Sequence, residues 1–476
     1  MCGSDGKTVT GRVVRQVLLL FVIAAVVRVG WVAARYRTPE RSEVLAYPDE
    51  DAYWHGARSL AAGDGLGDEF GYRATYMPAY PVFLSMFTGL DRPLWWARIV
   101  QALLAASISP VTFLVARKWD RWSRAPESKE TESRIALLAG LAATLDPFLV
   151  LFSGLLLTES LFAVAAVGAW GLVIGICENR PVACAPGSDK TGPIACASGS
   201  DKTGPVASSF APRATEDRYA TGFDSGRSRL CNLAGTLAAG ALLWLAVMLR
   251  PSAVVLMAAA AVVIVVAGRA AVRRRAAAAA IVVLVVVAGL LPWAARNRAV
   301  IGQWRWLTTR GGISLYDGLQ PGATGASDLA HTKTMPEVRG LSEVQWDRYF
   351  RDQAWTAARQ DPVRVLVLAW HKFLRTWSPT PNVQEYCHGL AAAVSGAWMI
   401  LVLGLAVIGL WARRRAARAW LVLLLPVILV TLLHMVFVGS VRYRVPTMPL
   451  VMVLSAAGLD WLIARCRVMM STSRGL

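Results

Sequence analysis

Charge is scarce in this chain, and negative charge scarcer still. Only 17% of its 476 residues are Asp, Glu, Lys or Arg, where a water-soluble domain carries about a quarter, and this excludes a soluble globular protein. Acidic residues number 31 against 50 basic ones. The seven cysteines, at positions 2, 177, 184, 196, 231, 387 and 466, form no CxxC pair and no zinc spacing. Neither a disulfide framework nor a metal cluster is implied. What fills the space is apolar: 55% of the residues are hydrophobic and the mean hydropathy is +0.45, the composition of an integral membrane protein. The net charge of +19 would suggest nucleic acid in a soluble chain. Here it points to cytoplasmic loops that obey the positive-inside rule, and no nucleic-acid partner is expected.

Apolar runs of about 17 to 25 residues can cross a hydrocarbon core of about 30 Å. Such runs lie near 13–34, 95–116, 135–151, 157–177, 232–249, 252–268, 276–294, 390–411, 419–438 and 446–464. The expected fold is all-α and polytopic, with about ten transmembrane helices. The first run follows Lys7, Arg12 and Arg15 and contains Arg28; it is longer than a signal-peptide core and reads as a retained signal-anchor. With the N-terminus in the cytoplasm, the basic groups Arg117/Lys118/Arg121/Arg124, Arg269/Arg273/Arg274/Arg275, Arg413/Arg414/Arg415/Arg418 and Arg465/Arg467 all fall on the cytoplasmic side, as does the C-terminus. Two long loops, about 35–94 and 295–389, are left on the external face. The chain thus divides into an N-terminal membrane part, 1–177, an insert, 178–231, and a C-terminal membrane part, 232–476.

The insert is polar, rich in Gly, Pro and Ser, and repeats Gly-Ser-Asp-Lys-Thr-Gly-Pro at 187–193 and 199–205. Its Asp-Lys-Thr-Gly resembles the phosphorylated motif of P-type ATPases, but that motif needs a folded α/β domain around it. Composition and duplication favour a disordered cytoplasmic linker.

The first external loop holds Asp49, Glu50 and Asp51 side by side, followed by Tyr53 and by Ala57, Leu60 and Ala61 at helical spacing. Three adjacent carboxylates repel one another and raise the pKa of at least one, which suits a general base; a solvated acidic turn is the plainer reading. The apolar spacing predicts a short amphipathic helix on the membrane surface. Glu159, after Leu157-Thr158, opens an apolar helix, either as a membrane-edge functional acid or as an acid favoured by the helix dipole. External cations stand at Arg250-Pro251, at Arg296, at Lys372 and Arg375, and at Arg442-Tyr443-Arg444. Guanidinium and ammonium groups there can clamp phosphate or act as snorkelling anchors. The segment 361–377 is amphipathic, slightly short for a span, and fits a helix in the outer interface.

Taken in order, Asp49-Glu50-x-x-Tyr53, Pro78-x-Tyr80-Pro81, Leu157-Thr158-Glu159, Arg250-Pro251, Pro292-Trp293-x-x-Arg296-Asn297 and Arg442-Tyr443-Arg444-x-Pro446 resemble bacterial glycosyltransferases of the GT-C fold. The nearest group is family 39, which includes protein O-mannosyltransferases and aminoarabinose transferases. The resemblance spans nearly the whole chain apart from the insert. It implies an inverting transferase in the plasma membrane, taking a sugar from a polyprenyl-phosphate donor to a protein, lipid or glycan acceptor on the external face. By it Asp49 is the base, Glu50 its neighbour and Glu159 a second acid. Tyr53 and Arg250 line the substrate site, and Arg296, Lys372, Arg375, Arg442 and Arg444 are candidates for stabilising the leaving phosphate. Asp51 makes a triple acid where the family shows a pair, so Asp51 is also a candidate base. No spacing requires a metal, and a divalent cation is left open. A glycan ligase or polymerase using lipid diphosphate carriers would share this external site. A secondary transporter should show charged residues at mid-membrane, broken helices and repeated halves; no clear internal symmetry is evident and the spans are largely free of charge, which weighs against transport.

Overall fold

Each of the ten apolar runs is helical along nearly its whole length in the computed structural model, which describes residues 4–123, 134–178, 216–382 and 387–473. The duplicated heptapeptide lies outside the described residues. Helix α1 spans Ser4–Arg35, and the first long loop then folds as α2 (Pro39–Ser42), α3 (Pro48–Ala61) and α4 (Ala79–Ser85). Helices α5 (Pro93–Ala106) and α6 (Ile108–Ser123) follow, then α7 (Arg134–Leu145), α8 (Pro147–Gly154) and α9 (Glu159–Glu178). Helix α10 runs from Glu216 to Leu249, so it begins inside the stretch read from sequence as a linker. After α11 (Val254–Ala267) and α12 (Val272–Ile301), the second long loop contributes α13 (Gly311–Leu319), α14 (Glu343–Gln360) and α15 (Pro362–Thr376). The chain ends with α16 (Gly389–Ala412), α17 (Ala417–Val436), the single turn α18 (Val441–Arg444) and α19 (Met448–Ser473).

Among the described residues, eight helical segments are long and apolar enough to cross a membrane, and α7 with α8 forms a further pair bent by 47°. The sixth run, Pro251–Ala267, is shorter. The bend falls at Asp146, where Pro147 interrupts the hydrogen-bond ladder. The Asp146 carboxylate caps α8 by accepting from Leu149 N at 2.8 Å and also accepts from Trp398 Nε1 at 2.8 Å. No β-strand occurs among the described residues.

Small residues set the closest helix contacts, as expected where lipid removes the hydrophobic driving force between helices. A Cβ at Gly409 of α16 would overlap the carbonyl of Leu454 in α19, and one at Gly458 of α19 would overlap the carbonyl of Leu405. The two backbones are therefore in direct contact.

Alternation of the spans brings the long loops, the start of α9 and the end of α10 to one end of the bundle. The other end gathers Arg121 against Glu178 at 2.5 Å and Arg413 against Asp120 at 3.0 Å.

The amphipathic segment of the second loop is α15. It buries Leu368, Lys372 and Thr376, four residues apart, and leaves Val363, Leu366, Val367, Trp370 and Leu374 exposed. An apolar outer face of this kind belongs on a lipid surface.

Candidate active site

The three adjacent acids of the first loop sit in the first turn of α3, where Pro48 occupies the first helical position. Successive helix residues point about 100° apart, so the acids face three ways. Glu50 is fully buried and caps its own helix, accepting from Ala46 N at 2.7 Å and Tyr47 N at 3.2 Å. Its other oxygen accepts from Leu156 N at 2.7 Å and lies 3.8 Å from Arg98. Asp51 is exposed. Asp49, one-third exposed, meets Arg442, with Oδ2 2.7 Å from Nη1.

Arg442 in turn bridges two acids. Its Nε lies 2.5 Å from Glu159 Oε1, and the same oxygen is 2.5 Å from Arg250 Nη1. Arg250 also approaches Thr158 Oγ1 at 3.4 Å. The elements explain the convergence: Glu159 opens α9, Arg250 follows the last residue of α10, and Arg442 sits on α18, whose first turn is capped by Ser440. Tyr443 carries the Arg250 guanidinium at 4.9 Å from its ring centre and stacks on His434 at 3.9 Å. Glu159 is fully buried, and its second oxygen, Oε2, has no hydrogen-bond partner.

A third cation comes from the second loop. Arg310, just before α13, donates to the hydroxyl of Tyr76 and lies 4.9 Å over its ring. Tyr76 packs edge-on against Tyr53 at 5.2 Å, and Tyr53 against Tyr80 at 5.1 Å. Burial pushes the Tyr76 phenol up to about 12, despite Arg310. Burial also raises Tyr53, with the charge of Asp49 adding to it. Both phenols are therefore neutral donors at physiological pH. For Asp49, burial alone would raise the carboxyl, but Arg442, Arg310 and Arg250 outweigh it and hold the pKa at about 2. Burial works against the charge of Arg310, while Tyr76 and Asp49 sustain it. Asp49 and Glu159 face Arg442 and Arg250, and Arg310, bonded to a neutral phenol, brings a third guanidinium within electrostatic reach of Asp49.

The site is closed by a latch between the two loops. Glu343, buried at the start of α14, accepts from Arg73 N and Ala74 N at 2.8 Å each and from the Thr309 hydroxyl. Thr309 N donates to Ala74 O at 3.0 Å. Tyr76 and Arg310 follow these anchored residues by two positions and one.

Of the residues singled out from sequence, Asp49, Glu159, Tyr53, Arg250 and Arg442 come together. Glu50, Asp51 and four of the cations do not. Arg296 donates to the carbonyls of Arg73 at 2.6 Å and Leu66 at 3.3 Å, fastening the first loop to α12. Lys372 is fully buried and donates to Val436 O at 2.8 Å; burial pulls its pKa down to about 8. Arg375 approaches Gly439 O at 3.4 Å. Arg444 donates to Thr376 O at 2.8 Å and Ser378 O at 2.6 Å, over the ring of Phe148. These four hold walls and turns around the cluster. Sequence alone assigns no role to Arg310, Tyr76 or Glu343. Arg310 is marked there only by the Gly311-Gly312 that follows it.

The bundle has the GT-C fold. No family model and no curated relative matches the chain. Among solved structures it is similar to the archaeal oligosaccharyltransferase AglB from Archaeoglobus fulgidus in complex with an inhibitory peptide and a dolichol-phosphate, at 13% identity and a TM-score of 0.52, covering 97% of this chain and 52% of that one. It is likewise similar to the Archaeoglobus fulgidus oligosaccharyltransferase in the apo form, at 14% identity and a TM-score of 0.51, covering 96% of this chain and 52% of that one. The chain thus spans about half the length of these structures.

Proposed function

We propose that the chain is a membrane glycosyltransferase of the family 39 type. It moves a sugar from a polyprenyl-phosphate donor to an acceptor hydroxyl or amine, with inversion, on the external face of the plasma membrane, both termini being cytoplasmic. The observation that carries this reading is the gathering of three guanidinium groups at a partly exposed carboxylate: Arg442 meets Asp49, and Arg310 and Arg250 lie within its electrostatic reach. A preorganised cation set stabilises a leaving phosphate, and the fold likeness to a structure holding dolichol-phosphate agrees with a lipid-linked donor.

The chemistry follows from the charge balance. With a pKa near 2, Asp49 is a weak base at rest. A donor phosphate drawing Arg442 and Arg310 toward itself relieves Asp49 of its counter-charges and raises its basicity. Asp49 then takes the acceptor proton as the new bond forms at the anomeric carbon, and the phosphate leaves with the electron pair of the broken C–O bond. Glu159 keeps Arg250 in place and tethers Arg442 within reach of both Asp49 and the phosphate. A divalent ion would compete with Arg442 for the same two carboxylates, and this sequence of events needs none.

Transfer of a whole glycan from a lipid diphosphate carrier is the second reading, favoured by the likeness to oligosaccharyltransferases. Labelled sugar transfer from polyprenyl-phosphate donors, compared between wild type, Asp49→Asn, Arg310→Ala and Asp51→Asn, tests the first. Loss in the first two variants alone supports it. Absence of transfer by wild type from every monophosphate donor, with transfer from a diphosphate-linked glycan, replaces it by the second.

A further inference from the structure

An open groove of about 800 Å³ runs beside the loop latch, between residues 70–73, the end of α12 and the start of α14. Its lining residues include two arginines, Arg73 and Arg348, two glutamines, Gln303 and Gln345, and two aromatic residues, Phe70 and Tyr72. We infer that this groove binds an acidic saccharide chain, the extended part of the acceptor. Calling that chain the acceptor rests on the transferase reading; binding itself does not.

Charge complementarity points to an anion. The one carboxylate in the lining, Glu343, already accepts from two backbone amides and a hydroxyl. The Arg73 guanidinium donates to the carbonyl of Asp64 at 3.0 Å, and Arg348 is exposed. Neither has a carboxylate within ion-pair distance among the described residues, so both keep their charge for a ligand. Guanidinium groups so placed take carboxylate or sulfate in forked hydrogen bonds.

The rest of the lining selects a sugar over a peptide. Peptides are taken up at exposed strand edges or in apolar grooves that fit an amphipathic helix. Here there is no strand among the described residues, and the walls set amides and guanidinium groups between aromatic faces. Phe70 is 57% exposed, with its ring 6.0 Å from that of Tyr72. Amides bond ring hydroxyls in pairs, and aromatic faces cover the apolar face of a pyranose. Gln345 uses its oxygen to cap Ser342 at 2.9 Å, which leaves its NH2 as a donor.

The groove also abuts the site. Arg73 and Ala74 are anchored by Glu343, and Tyr76 follows two residues later. A chain seated here lies against the latch that anchors the segments carrying Tyr76 and Arg310.

The test is binding by the purified full chain of three tetramers: tetragalacturonate, neutral maltotetraose and tetraglutamate. Tetragalacturonate is expected to bind at least about ten-fold more tightly than either other probe, with Arg348→Ala and Arg73→Ala each weakening it by about ten-fold, the scale of one charge-assisted contact. Asp49→Asn should leave that binding within about two-fold. Arg348 is exposed, so its removal spares the fold, and Arg348→Lys should keep part of the affinity. Equal affinity for maltotetraose, preference for tetraglutamate, or no effect of either arginine overturns the inference. If the groove binds none of the three while Asp49→Asn still abolishes sugar transfer, this inference falls and the transferase reading stands.

Discussion

Arg310 of the second long loop donates a hydrogen bond to the hydroxyl of Tyr76 in the first, 234 residues earlier in the chain. The contact places a half-buried cation within electrostatic reach of Asp49 that no part of the first loop supplies. The site is therefore assembled from both halves of the chain, and its charge depends on how the two loops meet.

That dependence fixes a pH response. Asp49 sits at about 2, below its ordinary 3.8, because Arg442, Arg310 and Arg250 outweigh burial. A carboxyl depressed by folding contributes stability in full above its unfolded pKa and loses it as pH falls through the folded one, here between 3.8 and about 2. Removing one of the cations with Arg310→Ala raises the Asp49 pKa and moves the acid limb of kcat/KM to higher pH. A pH–rate profile checks this, and an acid limb that stays in place would separate Arg310 from Asp49.

Asp49 and Asp51 should behave differently although they are two residues apart. Asp49→Asn removes the carboxylate that meets Arg442 and is expected to lower transfer by about 10²- to 10⁴-fold, the usual span for a general base. Asp51 is exposed, and Asp51→Asn should stay within about two-fold of wild type, as surface changes do. Initial rates at matched expression decide it; the reverse pattern assigns the base to Asp51.

Arg442→Ala strands the buried Glu159 with Arg250 as its remaining ion-pair partner. Breaking a buried pair from one side costs about 3–5 kcal/mol, so thermal unfolding in detergent should fall sharply, while Glu159→Gln combined with Arg442→Ala recovers part of the loss. A double variant no more stable than Arg442→Ala would contradict the pairing.

Glu343 accepts three donors, and Glu343→Gln turns an amide NH2 toward groups that also donate. Each unsatisfied buried donor costs about 1–3 kcal/mol. Faster hydrogen exchange is expected in the segments 66–76 and 305–312 together, with wild-type exchange in α16 and α19. Exchange that quickens in one segment alone would mean that the two loops are held independently.

Much of the helix framework could be read from the apolar runs, because a membrane span needs length and apolarity and little else. Helices α3 and α15 were legible too, from periodicity beside an acidic and a basic cluster. The site was legible in kind and not in register. Asp49, Glu50 and Asp51 read as one acidic patch, yet a helix turns them to a cation, to its own backbone and to solvent. The cations show the same limit: Arg442 and Arg444 are two residues apart, but one meets carboxylates and the other the carbonyls of Thr376 and Ser378. An arginine that pins a turn and one that serves a ligand are the same letter until their partners are known. Arg310 became visible only when the loops were folded against each other.

The backbone contact at Gly409 and Gly458 makes α16 and α19 a single stiff strut. Gly458 lies ten residues beyond the start of α19, about 15 Å along a helix axis, and α19 begins four residues after Arg444. A methyl group at either glycine would act as a wedge, prising the strut open below and tilting the short turn that carries Arg442 above. The geometry of the cluster is thus geared to a seam deep in the bundle, and a change too remote to touch any substrate would still be felt at Asp49.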